Sequence, residues 1–477
     1  MKIIIKLKII SLLFLTTMFG CQQLNDVVDI QPTTLISEET ALVSLDNYES
    51  LLMASYASAR GYYNTFMFVD ELLGPNFKTG TSPSGPQVSI YEYAILANNG
   101  TTQGIWSGAY TAINRANIII KRLPSTTFTG DRRNRILGEA YAIRAMAHFD
   151  LLRCFAKAYS PSNGGDLGVP YYTEPAVATD SKARNTINEV YSGIFSDLAQ
   201  AQNLINNSFN SEIARISKLA LTALKARIHL YRGEWASAVT ESTSVINTSG
   251  LSLQTGTSYS TMWTSAESAG EIIFKFRYAQ GEGSFGSNFW VEANDLIRFG
   301  AVGSFTGGYT TNDVRGTTFF ATSASSQPGT RNLVKYRGSA ADFGRADLKV
   351  IRLSEMYLIR AEANARLNQI ATASTDYNLI RNSRITPNLP VDDLALVSQN
   401  TAIIKILAEK NRELVAEGHT WMDLKRLNLG LLRTDHNVTG ITDPTFSVPA
   451  TSPIFMHLPI PQRELDANPN MRQNPGY

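Results

Sequence analysis

The sequence predicts a mainly α-helical protein. TPR-like helical hairpins form a right-handed superhelical scaffold, and long loop-rich insertions containing a few short strands interrupt it. Three observations carry that expectation. Apolar residues recur at three- and four-residue steps through most of the chain, the spacing of helices with one buried face. One helix-to-helix turn is written twice, around Gly233 and around Asn368. Residues 61–100 and 250–346 follow neither pattern; they are rich in Gly, Ser, Thr and Pro and carry many aromatic rings.

Taken in order, a helix is expected near Asp46, with Tyr48, Leu51, Leu52 and Tyr56 on one face. Loop chemistry replaces it from Gly61 to Asn99, where Pro75, Pro83 and Pro86 fall among Tyr and Phe. Helix returns over 105–121, and the spacing of Trp106, Tyr110 and Ile113 sends Trp106 to the core. The next stripe, Leu137, Tyr141, Ala145, Phe149, Leu152 and Phe155, predicts a helix over 134–159 with Cys154 as a small core residue. Thr186 and Glu189 have the spacing of a capping box that opens a helix running to Ile205.

Helices over 219–231 and 350–367 are each followed by a residue tolerant of left-handed backbone angles, then a large apolar residue, then Ala. The two triplets are Gly233, Trp235, Ala238 and Asn368, Ile370, Ala373. This is the turn of a tetratricopeptide-type hairpin, and Leu137, Gly138 and Tyr141 match its first half. The copies keep no fixed period, so the scaffold is elaborated rather than a regular solenoid. Within the second insertion, 272–278 alternates as a strand with Phe274, Phe276 and Tyr278 on one side. The proline-rich tail, 431–477, is expected to lie on the body as an extended strap.

The stretch from Thr401 to Gly430 is the most specific. Ile404, Leu407, Ala408, Leu414 and Val415 draw an apolar stripe, Gly418 suits a helix end, and Trp421 and Leu424 resume the pattern. Glu413 and Glu417 share a helix face. With His419 and Asp423 nearby, acid–base chemistry is conceivable. Charges at helical spacing usually serve structure, so the group reads as an ion-pair knot with Arg412, Lys425 and Arg426 as partners. The run Glu409, Arg412, Glu413, Leu414, Glu417, Gly418, His419, Trp421, Asp423, Leu424, Arg426 resembles the SusD/RagB family of outer-membrane nutrient-binding lipoproteins. Ala416 stands where a large aromatic is common in that family, and Thr420 where Arg is common. The resemblance extends to Val350–Leu353 with Tyr357 and Leu358, to the tail Leu458–Glu464, and to the closing Asn474–Tyr477.

The amino terminus agrees. Lys2, Lys6 and Lys8 precede an apolar run over 9–19 that is too short to span a bilayer as a stable anchor. Gly20 and Cys21 follow, the pattern of a lipoprotein signal peptide cleaved before an acylated Cys21. The expected organisation is therefore a signal peptide over 1–20, a tether over 21–36 and one SusD-like domain over 37–477. Without the three leader lysines the chain has 40 basic and 41 acidic residues, which argues against nucleic acid as a partner. Only Cys154 then remains as a thiol, so no disulfide framework is expected.

Catalytic motifs are missing. The five histidines lack zinc-ligand spacing, so no metal or cofactor is expected; His148 and His229 read as hydrogen-bonded packing residues. Gly281, Gly283 and Gly286 match a dinucleotide-binding pattern formally, but no helix-forming run follows them. What remains is binding. Sugars need aromatic platforms beside planar polar groups. The loops offer Asp70, Asn76, Phe77, Tyr91 and Tyr93 from the first region, and Phe289, Trp290, Asn294, Asp295 and Tyr309 from the second.

The family resemblance implies a surface-exposed, lipid-anchored outer-membrane protein. It would capture a glycan or oligosaccharide, or a peptide as in some members, without catalysis. It would deliver that ligand to a SusC-like TonB-dependent transporter. The alternatives are an exported glycosidase on a helical scaffold and a helical-repeat adaptor with no small ligand.

Overall fold

The computed structural model describes residues 41–477 apart from 84, 178, 266–268, 280, 283–284, 340–341, 344–345, 388–389, 391 and 436–444. The leader, Cys21 and the tether lie outside the described residues, as does Gly283 of the glycine pattern. Residues 49–477 form one compact body.

The long helices are α1 (Leu45–Leu72), α2 (Gly100–Arg122), α3 (Asp131–Phe155), α4 (Ile187–Leu204), α5 (Lys218–Arg232), α6 (Trp235–Thr248), α7 (Leu353–Arg366), α8 (Ile370–Arg384) and α9 (Gln399–Glu413), followed by the shorter α10 (Thr420–Arg426). Successive members pack on one another: α2 on α3, α3 on α4, α5 on α6, α6 on α7, α7 on α8. Their ends are built as the sequence implies. Thr186 and Glu189 close a reciprocal box at α4, with the Glu189 N–H donating to Thr186 Oγ1 (3.2 Å) and the Thr186 N–H to Glu189 Oε2 (2.7 Å). Gly233 (φ +74°) and Asn368 (φ +61°) take left-handed angles at the two echoed turns. Cys154 is buried and unpaired with another cysteine.

Four expectations are corrected. Helix α1 does not yield to loop at Gly61 but runs on to Leu72, because Tyr62, Tyr63, Phe66, Met67 and Val69 are all buried along it. A mid-helix glycine costs only about 1 kcal/mol against alanine, less than those side chains gain by burial. Val350 begins no helix. Leu348–Arg352 is a strand (β8) that pairs antiparallel with β2 (Ile272–Phe276), and α7 starts after it. Both strands are buried on both faces, Ile273 and Lys275 included, so the expected one-sided alternation is absent. On α9 the buried face is Ala402, Ile403, Ile406, Glu409, Lys410 and Glu413, while Ile404 is 57% exposed. Charged residues thus turn inward with the apolar ones, and of the stripe drawn from sequence Leu414 and Val415 are buried, Leu407 is half-buried, and Ile404 and Ala408 are exposed.

The tail lies on the body, interrupted by short helical turns at Pro453–Met456 and Gln462–Ala467. The Leu458 N–H donates to Cys154 O (2.9 Å), and Asn474 Nδ2 donates to Phe155 O and Leu458 O (both 2.8 Å). The strap thereby satisfies the last carbonyls of α3.

The inward charges form one network. The Arg352 guanidinium donates to Glu271 (2.6 Å), Glu413 (2.9 Å) and Glu417 (2.7 Å), and Arg384 bridges Glu271 and Glu413 (both 2.9 Å). Arg315 joins Glu413 (3.2 Å) to Glu409 (2.7 Å) and Asp313 (2.8 Å). Lys335 holds Glu417 at 2.6 Å. Of the partners expected from sequence, Arg426 does pair with Asp423 (2.7 Å), and with Glu362 besides, whereas Arg412 pairs with Glu409 and Lys425 donates to the Arg153 carbonyl. Burial opposes ionisation of Glu413, yet Arg384, Arg352 and Arg315 hold its carboxyl well below the usual range. Glu417 and Glu409 are lowered for the same reason by Arg352 with Lys335, and by Arg315 with Arg412.

Removing one partner from such a knot leaves buried charge uncompensated. Arg352→Met should cost about 3–5 kcal/mol in urea unfolding or abolish folding. Arg352→Lys should rescue little, since one ammonium cannot span three carboxylates. An Arg352→Met protein of unchanged stability would show the network to be dispensable.

The pH dependence has a definite shape. Burial lowers His148 and His457 to about 3 and His419 well below its usual value, so stability is lost as pH falls below about 6.5. Burial raises Asp70, Glu71 (to about 7) and Glu139, so these act oppositely and gain as pH falls from 7 toward 4.5. Below about 4.5 the raised carboxyls contribute nothing further, while the lowered Glu409, Glu413 and Glu417 begin to lose their stabilisation. Urea midpoints should therefore stay nearly level from pH 7 to 5 and drop steeply below 4.5. A steady decline beginning at pH 7 would contradict this balance.

Candidate functional site

The two aromatic-rich segments meet in one sheet. β1 (Phe77–Thr79) pairs antiparallel with β5 (Phe299–Val302), which pairs with β7 (Thr330–Leu333) and then β6 (Phe320–Ala321). Gly80 permits the closest approach. A Cβ there would sit 2.3 Å from Ile297 O, and the Gly80 N–H donates to Arg298 O at 2.7 Å.

From this sheet rises a tight hairpin, β3 (Trp290–Val291) against β4 (Leu296–Ile297), with Trp290 opposite Ile297. A turn at Glu292–Asn294 and a left-handed Asp295 (φ +50°) close it. Side chains alternate along a strand. Phe289 points in, against Phe77 (4.7 Å between ring centroids), Phe68 (5.1 Å) and Phe285 (5.5 Å), and is fully buried. Trp290, one residue on, is half-buried. Its indole N–H donates to Asp295 Oδ1 (2.9 Å), whose other oxygen accepts the Ser325 N–H (3.0 Å). Hydrogen bonds from Ser323, then Ser325, hold the Asp295 carboxyl below the usual range. That suits a fixed acceptor rather than a proton donor. Asn294 is exposed beside it, and Leu296 is 39% exposed. The arrangement offers an apolar ring face of fixed orientation with amide and carboxylate groups next to it.

Of the ten residues expected at a ligand surface, Trp290, Asn294 and Asp295 come together here. The other seven, Asp70, Asn76, Phe77, Tyr91, Tyr93, Phe289 and Tyr309, are buried. Asp70 sits on α1, not a loop, and caps α10 by accepting the Thr420 N–H (2.8 Å) and Met422 N–H (3.0 Å). Asn76 Nδ2 donates to Asn411 Oδ1 at 2.9 Å. The Arg433 guanidinium lies 3.9 Å over the Tyr91 ring. Tyr93 and Tyr309 donate their hydroxyls to Leu73 O (2.6 Å) and Arg412 O (2.9 Å). A ring with no open face cannot stack on a ligand, and these polar atoms already have partners within the protein. Trp106 is in the core as expected at 4% exposure, and Trp263 is buried under Lys335 and Arg352. His148 is a packing residue stacked on Tyr171 (3.9 Å), with Nδ1 at 2.9 Å from Arg144 O.

Sequence reasoning missed the serine loop that fixes Asp295. Ser325 lies 30 positions from it, and nothing local marks the pair. Among the described residues, no group of three or more His, Cys, Asp or Glu is arranged to hold a metal ion, and no helix is long and apolar enough to cross a membrane. Phe285–Asn288, after the glycine pattern, is a single 3-10 turn rather than a phosphate-binding helix.

Comparison with known proteins covers nearly the whole chain. Residues 29–230 match a family described as starch-binding and associating with the outer membrane, and residues 306–477 match the SusD family. A SusD superfamily protein from Bacteroides thetaiotaomicron VPI-5482 superposes with a TM-score of 0.80 at 26% identity, covering 91% of this chain and 100% of that one. A laminarin-binding SusD-like protein superposes at 0.71 with 22% identity, covering 91% and 99%. SusD-like protein P38 of Formosa agariphila is 24% identical over 98% of both chains. With its Glu409–Arg426 signature inside the SusD match and its helical hairpins superposing on a SusD superfamily structure, the chain belongs to the SusD/RagB family.

Proposed function

We propose that this protein is a lipid-anchored binding protein on the outer-membrane surface, which captures a neutral glycan or oligosaccharide and delivers it to a SusC-like TonB-dependent transporter. The observation that carries the ligand class is the half-buried Trp290 ring, its N–H pinned by Asp295 and its neighbour Asn294 exposed. An indole face suits the C–H face of a pyranose, and the amide and carboxylate suit its hydroxyls. The described starch association of the matched family and the laminarin-binding neighbour support a glycan over a peptide. The buried Glu413 and Glu417 and the half-buried Asp423 belong to ion pairs, which supports capture without bond cleavage. Cys21, after its basic and apolar leader, is the residue that would carry the lipid.

Titration calorimetry with starch- and laminarin-derived oligosaccharides tests this reading. One of them should bind and be recovered intact. Trp290→Ala should weaken it about tenfold, or about 1.4 kcal/mol, with little change in unfolding temperature. Release of shortened sugars would favour a glycosidase, and unchanged affinity would remove Trp290 from the site.

Cys21→Ala should move the protein from the membrane to the soluble periplasmic fraction. Detergent extracts of the unmodified protein should yield a large β-barrel partner on affinity capture. Retention of the variant in the membrane would show that the anchor is assigned to the wrong residue.

A further inference from the structure

On a different part of the surface, a cavity of about 320 Å³ opens between α2, the loop residues 172–177 with Asp180, and the short helix Gln462–Ala467 of the strap. This is near the lower end of small-ligand pockets, room for one or two sugar rings. Its floor is aromatic. Trp106 and Tyr110 lie one turn apart on α2 with ring centroids 4.9 Å apart, and Tyr172 stands perpendicular to Tyr110 (5.6 Å, 90°). The rings are fixed by groups behind or beside them. Tyr110 donates its hydroxyl to Pro170 O (2.9 Å), and Trp106 Nε1 donates to Glu464 Oε2 (3.1 Å). The Tyr172 N–H is held by His148 Nε2 (3.2 Å), and Asn117 Nδ2 donates to its carbonyl (3.2 Å).

The rim is polar, and part of it has no protein partner. Asn114 accepts the Ala176 N–H on its oxygen (2.7 Å), while no hydrogen bond is made by its amide NH₂ among the described residues. The Ser107 side chain is exposed and likewise without a partner among them. Glu464, Asp180 and Glu174 bring carboxylates to the same rim. Burial, then the charges of Glu464 and Asp180, which line the same cleft, raise the Tyr172 hydroxyl above its usual value. Aromatic walls, free amide and hydroxyl donors, and acceptor carboxylates match the C–H faces and hydroxyl rim of a sugar. Lys121 pairs with Glu174 (2.8 Å) and Lys182 Nζ lies 5.6 Å over the Tyr172 ring, so the rim carries charges of both signs.

We infer that this cleft is a second carbohydrate site, for one or two neutral hexopyranose rings, formed by Tyr110, Tyr172 and Asn114 over the buried Trp106 and closed on one side by Glu464 of the strap. It shares the ligand class proposed above but none of the Trp290 residues, so the two stand or fall separately.

Saturation-transfer NMR and calorimetry on the full chain carrying Cys21→Ala, with maltose and laminaribiose as probes, test the cleft. Tyr172→Ala removes a ring whose backbone contacts stay in place, and Ser107→Trp fills the cavity from an exposed position. Each should lower affinity for the better-bound disaccharide at least tenfold in a Trp290→Ala background, where only the cleft remains, with unfolding temperature within a few degrees of the parent. Binding that persists in both variants, or a Trp290→Ala protein that binds neither disaccharide, overturns the second site. Loss in the cleft variants with no effect of Trp290→Ala supports the cleft and rejects the hairpin.

Discussion

Arg352 is the hinge pin of the architecture. It closes β8, begins α7, and at the same time holds Glu271, Glu413 and Glu417 from two other parts of the chain. A guanidinium can do this because its five donors lie in one rigid plane. The alternative, several carboxylates buried without counter-charge, would be far too costly for a native state. The scaffold helices, the link from α9 to α10 and the segment around Lys335 are consequently tied to one another by directional bonds rather than by apolar contact alone. The Ala416 and Gly418 backbone, with φ of +60° and +81°, is shaped to deliver Glu417 into this knot. A Cβ at Gly418 would press to 2.7 Å on Phe66, which leaves no room for another residue.

A rigid frame of this kind matters for a binding protein because its recognition surface is small and built from short strands. The hairpin at Trp290 has only two residues per strand, and it is stabilised from below by Phe289 in a nest of phenylalanines. Isolated hairpins are marginal in water. Here the aromatic layer and the β1–β5 pairing hold it on the body. The aromatic wealth of the two insertions thus serves chiefly as an internal support, and one ring is turned outward by the alternation of a single strand.

The family assignment and the site reading rest on different grounds. Membership follows from matches at both ends of the chain and from superposition over nearly all of it. The ligand class follows from local chemistry: an oriented indole, an amide and a carboxylate that is held ionised. Neither depends on a catalytic constellation, and the most charged residues of the chain are engaged with one another inside the fold.

The hairpins, the capping box at Thr186 and the two left-handed turn residues were legible because each is set by neighbours within a few positions, where helical periodicity and backbone sterics act. The charged run from Glu409 to Arg426 was legible as an ion-pair knot for the same reason. Of its partners only Arg426 on Asp423 was, because Arg315, Arg352 and Arg384 reach it across tens of residues. Nor could composition tell which aromatic rings face outward. Asp70 looked like loop chemistry until burial of its neighbours extended α1 through it, and Phe289 and Trp290 are adjacent and alike in sequence yet opposite in exposure. Local steric and periodic constraints are written in the chain itself. The direction of a side chain relative to the core, and the identity of a distant counter-charge, exist only once the segments have packed.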